Sequence, residues 1–382
     1  MARYQTPSSR IPIDEYDGDN LDAQNLLCEL VDIESVTGRE HEIMSLLENM
    51  LGELAPRTER YDMGGGRYNL LASKGNGRPI LCLNAHSDTM PPSGSSLARS
   101  ELDGRVVRGL GSCDDKASIA SMMSAFDGVP EEELEGRLDL LISVDEEVSS
   151  RGVRTCVEKG YRCDFAIVGE PTYLAPVVAH SGLMFLDLST NGVGGHGSIP
   201  WKGRNAILEM VDLCRNIEEL VRDFPSHPMV GMPSTNLGVI SGGDATNRIP
   251  VRCEARLDVR VMPGMTVDDA LGRIERIIGG RGSQVKVFKR GDPFEIRENS
   301  VLLKTVGEVQ EAIMGSRIES IGMRGWTEAD PLRNLAGADS LVLGPGDIGR
   351  AHTENELVSL DQVEKAVEIY RGVALEILGR GS

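Results

Sequence analysis

ILCLNAHSDTM, residues 80–90, passes from an unbroken apolar run into a polar exit within a few residues. Ile80 to Leu83 read as a short buried strand. Residues i and i+2 of a strand share a face, so His86 and Asp88 can aim at one object. Taken alone, such a pair is an ordinary polar strand end. Its weight comes from recurrence along the chain. LDLLISV (138–144) runs into Asp145-Glu146-Glu147, and DFAIV (164–168) runs into Gly169-Glu170-Pro171. Helical periodicity marks 115–126 and 151–159 between these strands, and 21–34 and 39–54 before them. Strands alternating with helices predict a layered α/β domain with a largely parallel sheet. In such sheets functional groups gather at the carboxyl ends of the strands. His86, Glu146-Glu147 and Glu170 all fall there.

The pattern changes near residue 180. GLMFLDLST (182–190) alternates like a half-exposed strand, and the Gly-rich turn NGVGGHGSIP follows. A helix near 204–223, strands near 234–240 and 252–261, a helix near 266–279 and a strand at 284–288 complete an α+β sandwich. The first style then returns, with a helix near 297–313, an apolar strand at 340–344 and a final helix near 360–378. The expectation is a two-domain α/β chain. Residues 1–179 and 291–382 form the catalytic unit, and 180–290 form an inserted lid and dimerisation domain.

The totals agree with that division. A chain of 382 residues exceeds one ordinary core. Hydrophobic residues make up 40%, enough to build one core per domain. No apolar run reaches the ~18 residues of a membrane span. The net charge of −19 argues against nucleic acid or an anionic membrane as partner. Residues 1–20 lack an apolar signal region and read as a polar, loosely ordered leader. The seven cysteines are odd in number and form no C-x-x-C pair, which fits a reducing cytoplasm. Cys113 stands apart, because it lies inside a candidate site.

The candidate ligands, in chain order, are His86 and Asp88 in HSD, Asp114 in GLGSCDDK, Glu146 and Glu147 in DEE, Glu170 in VGEP, and His352 in GRAHTENE. Each has an ordinary alternative: a solvated acidic run for DEE, a turn for GEP, a surface imidazole for His352. Together they mix imidazole and carboxylate, a set that suits Zn2+ and also Co2+ or Mn2+. Two histidines are too few for one His-rich zinc site. They suit two metals, each with one histidine, bridged by a carboxylate. Paired metals support hydrolysis, which also needs a carboxylate to carry a proton from water to the leaving nitrogen. Adjacent glutamates at a strand end can divide those tasks. His41, in a charged helix, and His227, in a Pro-flanked loop, are left outside the set.

HSD, GLGSCDDK, DEE, VGEPT and AHTENE, in this order, resemble the two-zinc amidohydrolases and peptidases. That family includes acetylornithine deacetylase, succinyl-diaminopimelate desuccinylase and aminoacylase. The resemblance runs from about residue 30 to residue 360. It implies one metal on His86, Asp114 and Glu170 and a second on Asp114, Glu147 and His352, with Asp114 bridging. It implies that Asp88 orients His86 and that Glu146 is the general acid/base. Asp115-Lys116-Ala117 departs from the family's usual glycine, and Asp115 stands as a rival to Asp114. GGHGSIP (194–200) resembles the family's lid motif, which implies a homodimer with His196 steadying the oxyanion of the partner's site. STNLGVISGGDATNRIPVRCEARLDVRVMPGMT (234–266) resembles the acetylornithine deacetylase branch. WTEAD (326–330) is spread more widely across the family. Family substrates carry a free carboxylate, for which Arg260, ahead of Arg248, is the candidate receptor, with Asn236 and Asn247 as candidates for further hydrogen bonds. The expected activity is deacylation of an N-acyl amino acid, N-acetyl-L-ornithine first. Succinyl-diaminopimelate, N-acetyl-lysine and small peptides are the alternative substrates. A non-catalytic binding protein on this fold would show a broken ligand set, and here the set is complete.

Overall fold

The computed structural model describes residues 21–94, 96, 99–278 and 283–379. The expected leader at 1–20 lies outside these residues. The larger sheet has nine strands. Its centre is the block Arg137–Ser143, Ile80–His86, Phe165–Val168 and Asp339–Val342, all parallel. Ile80–His86 is buried throughout. Its residues alternate between two cores: Leu81, Leu83 and Ala85 join one apolar cluster, Ile80 and Cys82 the other. A strand covered on both faces needs an unbroken apolar sequence, and this is why the run at 80–83 has no polar alternation.

The edges of this sheet are antiparallel, which makes it the mixed, mostly parallel sheet expected. The hairpin Arg57–Gly64 and Arg67–Gly75 is antiparallel and adds antiparallel to Arg137–Ser143. Its first strand is mostly exposed, so RTERYDMG carries little apolar signal. Its turn uses Gly64, Gly65 and Gly66 at φ of 85°, 67° and 82°, a conformation that glycine adopts without steric cost. At the other edge, Val177–His180 pairs antiparallel with Asp339–Val342 and with Phe294–Glu295.

Helix Lys116–Asp127 is buried along its length against the central sheet, the first helix and the last. Its sequence, KASIASMMSAFD, is rich in small residues, which lets three neighbours approach. The first helix, Ala23–Val31, is capped by Asp22, whose side chain accepts from Gln24 and Asn25 N–H. A separate three-stranded sheet pairs Leu357–Ser359 with Val106–Arg108 and brings the segment after His352 beside residues 109–114.

The second sheet is antiparallel, in the order Ser234–Gly242, Arg252–Val261, Gly182–Asn191, Gln284–Gly291. Helices Ala206–Arg222 and Val267–Ile278 cover one face around Met184, Leu186, Leu188, Leu257 and Val259. This is the expected α+β sandwich. The chain enters it through Ser181-Gly182 and leaves through Gly291-Asp292. The two crossings lie close together: a Cβ on Gly182 would sit 2.7 Å from Pro293, and one on Gly291 2.1 Å from Trp326 Nε1. The WTEAD segment braces this junction, with Asp330 accepting from Trp326 Nε1 at 3.0 Å and from Asp292 N–H at 2.9 Å.

Candidate metal centre and active site

The carboxyl ends of the four parallel strands meet at one place. Ile80–His86 delivers His86, and Arg137–Ser143 leads to Glu146 and Glu147. Phe165–Val168 leads to Glu170, and Asp339–Val342 leads into the loop carrying His352. Asp114 arrives from the loop before helix Lys116–Asp127. Two positions adopt left-handed backbone to enter the site, Asp145 at φ 68° and His352 at φ 59°. Asp tolerates that region better than most residues. The turn at Asp145 starts a four-residue helix, Glu146–Ser149.

Two groups of possible ligand atoms form, each within 4.8 Å: His86, Asp114 and Glu170, and Asp114, Glu147 and His352. The two oxygens of Asp114 divide between them. Oδ1 lies 3.0 Å from His86 Nε2, and Oδ2 lies 3.4 Å from His352 Nε2. His352 Nε2 is also 2.9 Å from Glu147 Oε1.

The electrostatics of this cluster call for added positive charge. Burial, then the negative charges of Asp114 and Glu146, push the Glu170 carboxyl well above the usual carboxylate range. Burial also raises Glu147. Burial works against the Asp114 carboxylate, but hydrogen bonds from His352 and His86 prevail and hold it below its ordinary value. Its hydrogen bond to Asp114, followed by that to Glu147, raises His352 to about 10. Burial opposes charge on His86, yet Asp114 and Asp88 raise it well above the ordinary imidazole value. Protons on two histidines thus balance converging carboxylates. Each group offers one imidazole nitrogen and two carboxylates, a donor set that fits a divalent cation, and binding would release those protons.

A second layer fixes the first. His86 Nδ1 lies 3.0 Å from the Asp88 backbone carbonyl and 3.7 Å from the Asp88 carboxylate. The orienting bond on this ring therefore comes from the main chain of Asp88. The Asp88 carboxylate accepts from the backbone N–H groups of Glu146 at 3.1 Å and Glu147 at 3.2 Å, and from Thr37 Oγ1 at 2.7 Å. Glu146 is buried, and burial pushes its carboxyl up to about 8, with the charge of Glu147 adding to the shift.

Glu356 was not among the sequence candidates. Its buried carboxylate accepts from three backbone N–H groups, Gly111 at 2.9 Å and Cys113 and Asp114 at 3.0 Å. It shapes the loop that presents Asp114. Its signal was its place at the end of AHTENE, immediately before strand Leu357–Ser359 pairs with Val106–Arg108 on the far side of that loop. Asp115 belongs to neither ligand group. Its carboxyl is buried beside Gly169, where an added Cβ would sit 2.9 Å away, and burial pushes it up to about 8. Cys113 is also outside both groups. It is buried, burial raises its thiol, and it donates to the Asp347 carbonyl at 3.5 Å.

The remaining candidates sit on the second sheet and its loops. His196 is exposed, with Nδ1 2.8 Å from Ser198 Oγ and a backbone bridge to Arg248. The Asn247 carbonyl accepts from Gly197 N–H at 2.8 Å, and Arg248 pairs with Asp244 at 2.8 Å. Asn236 is exposed on the edge strand Ser234–Gly242. Arg260 is half-buried, pairs with Asp258 at 2.9 Å and lies 5.7 Å from the Phe185 ring centre. Among the described residues, none of these five joins a ligand group. His227 pairs with Glu295, outside the site.

Comparison with known proteins fits this geometry. The chain is 32% identical over 344 residues to an acetylornithine deacetylase of Pasteurella multocida (strain Pm70), covering 86% of this chain and 88% of that one. The fold is shared with an M20 family metallo-carboxypeptidase, Sso-CP2, of Sulfolobus solfataricus, at a TM-score of 0.78 and 17% identity, covering 94% of this chain and 99% of that one. It is shared too with aminopeptidase PepT of Bacillus cereus ATCC 10987, at a TM-score of 0.75 and 19% identity, covering 93% and 98%. Residues 82–376 match peptidase family M20/M25/M40, a span that includes every residue of both ligand groups. The chain belongs to peptidase family M20/M25/M40 and is a hydrolase.

Proposed function

We propose that this hydrolase cleaves the amide bond of an N-acyl amino acid, with N-acetyl-L-ornithine as its substrate and L-ornithine and acetate as products. The observation that carries the reaction class is the sharing of Asp114 between two three-ligand groups, with a buried Glu146 beside them. The substrate rests on the 32% identity to a deacetylase of that specificity and on the likeness of residues 234–266 to that branch.

His86, Asp114 and Glu170 would hold one divalent metal, and Asp114, Glu147 and His352 the other. Zn2+ suits these donors, and Co2+ or Mn2+ is compatible with them. Such a pair, when bound, supplies Lewis-acid polarisation of the amide carbonyl and acidifies water. Glu146 takes the proton from the attacking water and gives it to the departing amine. Burial and the neighbouring Glu147 charge both favour the protonated form of this carboxyl, the state in which it can deliver a proton to the amine. Arg260 receives the substrate carboxylate, with Arg248, Asn236 and Asn247 lining the approach. Residues 180–290 act as the lid. His196 acts on the partner's site in a homodimer. This reading is supported by its exposure and by the apolar side chains Leu237, Val239 and Ile240 exposed along the edge strand. Among the described residues, no helix is long and apolar enough to cross a membrane. All seven cysteines are unpaired thiols, in keeping with a reducing cytoplasm.

A competitive assay tests the substrate. Metal-reconstituted protein is offered N-acetylornithine, N-acetyl-lysine, N-succinyl-diaminopimelate and a dipeptide together, and each free amine is followed. Preferential release of ornithine supports the proposal, and preferential release of another amine replaces the substrate while keeping the chemistry. Glu146→Gln should retain metal and lose about 10²–10⁴ in kcat. Mixing inactive Glu146→Gln and His196→Ala chains should restore activity if His196 works in trans.

A further inference from the structure

The short helix Glu146–Ser149 is held on its N–H side by Asp88. Its carbonyl side is held by a residue of the other sheet. Lys289 lies on strand Gln284–Gly291, and its Nζ donates to the Glu147 carbonyl at 3.0 Å and the Glu146 carbonyl at 3.3 Å. The side chain is buried, with a residue exposure of 8%. A buried ammonium ordinarily carries a carboxylate partner. Here the hydrogen bonds go to two main-chain carbonyls of the residues that carry the chemistry.

The backbone of the strand is shaped to put Lys289 there. Val287 pairs with Leu186 and Lys289 with Phe185, so the register shifts at Phe288. In regular alternation Lys289 would share the face of Val285 and Val287, which pack on the helices of the inserted unit. The extra residue turns Lys289 onto the opposite face, with Phe185. Bulges beside active sites commonly re-aim a side chain in this way. On that face Lys289 Nζ lies 5.9 Å from the Phe185 ring centre, and the Arg260 guanidinium lies 5.7 Å from the same ring. Lys289 and Arg260 are thus carried on one hydrogen-bonded sheet.

We infer that Lys289 is a positioning residue for hydrolysis, joining the placement of the inserted sheet to the backbone of Glu146 and Glu147. This rests on Glu146 as the proton carrier. A four-residue helix cannot hold its own geometry, because helix formation needs several turns to repay its nucleation. Asp88 fixes one end of its peptide units and Lys289 the other. A sheet displaced from the catalytic unit takes Lys289 with it and releases the helix. The group that receives the substrate carboxylate and the group that sets the proton carrier therefore move as one body.

The test is a kinetic comparison of Lys289→Met, Lys289→Arg and Glu146→Gln, each with metal content and melting temperature measured. Lys289→Met is expected to lower kcat ten- to a hundred-fold, the range that a small misplacement of a catalytic group produces, with KM within about two-fold. Metal content should stay at the wild-type level, and Lys289→Arg should recover most of the lost kcat. Unchanged kcat in Lys289→Met overturns the inference. So does a loss that follows metal content or melting temperature and is not recovered by arginine, since that is a purely structural role. If Lys289→Met does not fold, Lys289→Gln, which keeps an N–H donor without the charge, is read by the same criteria. Full activity in Glu146→Gln would instead remove Glu146 as the proton carrier. An inactive Glu146→Gln beside an unaffected Lys289→Met removes Lys289 alone.

Discussion

Asp88 grips Glu146 by its main chain: Asp88 Oδ1 accepts the Glu146 N–H at 3.1 Å, while Oδ2 accepts the N–H of Glu147 at 3.2 Å. One carboxylate, wholly buried between strand Ile80–His86 and the helix Glu146–Ser149, thus sets both the residue proposed to carry the proton and a proposed ligand. Anionic groups are favoured at helix N-termini, where free N–H groups collect, and here that preference acts across two strands.

Asp88→Asn keeps one oxygen and places an NH2 group against an N–H donor. Loss of a charge-assisted bond in a buried site costs about 1.5–3 kcal/mol. The variant should lose that much stability in denaturant unfolding and about ten-fold or more in kcat, with metal still bound. Wild-type kcat would show that the helix keeps its place without this carboxylate.

Removing ligands one at a time should reveal the sharing. Asp114 belongs to both groups, and His86 and His352 to one each. Asp114→Ala should lose nearly all metal after dialysis, whereas His86→Ala and His352→Ala should each retain about one of two ions. His352 is half exposed and His86 is buried, so a chelator should strip the His352 group first. Elemental analysis of the dialysed proteins checks both statements. Equal loss in all three variants would show that the two groups bind metal as a single unit.

Stability at acid pH should depend on His180, which belongs to neither ligand group. Its ring is fully buried, packs 5.2 Å from the Phe294 ring and holds its Nδ1 2.9 Å from the Ser181 carbonyl. Burial lowers it from 6.5 to about 4. The unfolded chain then binds a proton that the folded chain refuses, so stability is intact above pH 6.5 and falls as pH drops towards 4. The full loss from this group is about 3 kcal/mol. Urea unfolding of chelator-treated wild type and His180→Phe between pH 4 and 7 measures it. A stability difference that does not change with pH would refute the assignment.

Glu356→Gln tests the loop that presents Asp114. The amide can satisfy only part of the cradle, leaving at least one of the three buried N–H groups facing an NH2. We expect about 1–3 kcal/mol lower stability and roughly 10–100-fold weaker metal binding. Isothermal titration with Zn2+ gives the second number. Unchanged affinity would mean that the loop 109–114 holds its shape through helix Lys116–Asp127 alone.

The central strands, the ends that carry His86, Glu147 and Glu170, and the α+β character of the segment read as 180–290 were all readable from local pattern. An apolar run such as Ile80–Leu83 marks a strand covered on both faces, and period-two alternation in GLMFLDLST marks one covered on a single face. The hairpin Arg57–Gly75 was not read, because its exposed first strand alternates charged residues without an apolar stripe. The short edge strands Val177–His180 and Phe294–Glu295 were missed because so few residues carry no resolvable period.

By itself the sequence determined which residues end the buried strands, because side-chain parity and strand termination act over a few neighbouring residues. It could not say that Asp88 would serve Glu146, 58 residues away, that Glu356 would cradle Asp114 across 242, or that Lys289 would reach Glu146 across 143. Those contacts were decided by strand order, by the pairing of Leu357–Ser359 with Val106–Arg108 and by one extra residue at Phe288. Order and register arise when separate segments pack together, and the periodicity of any one segment does not encode them.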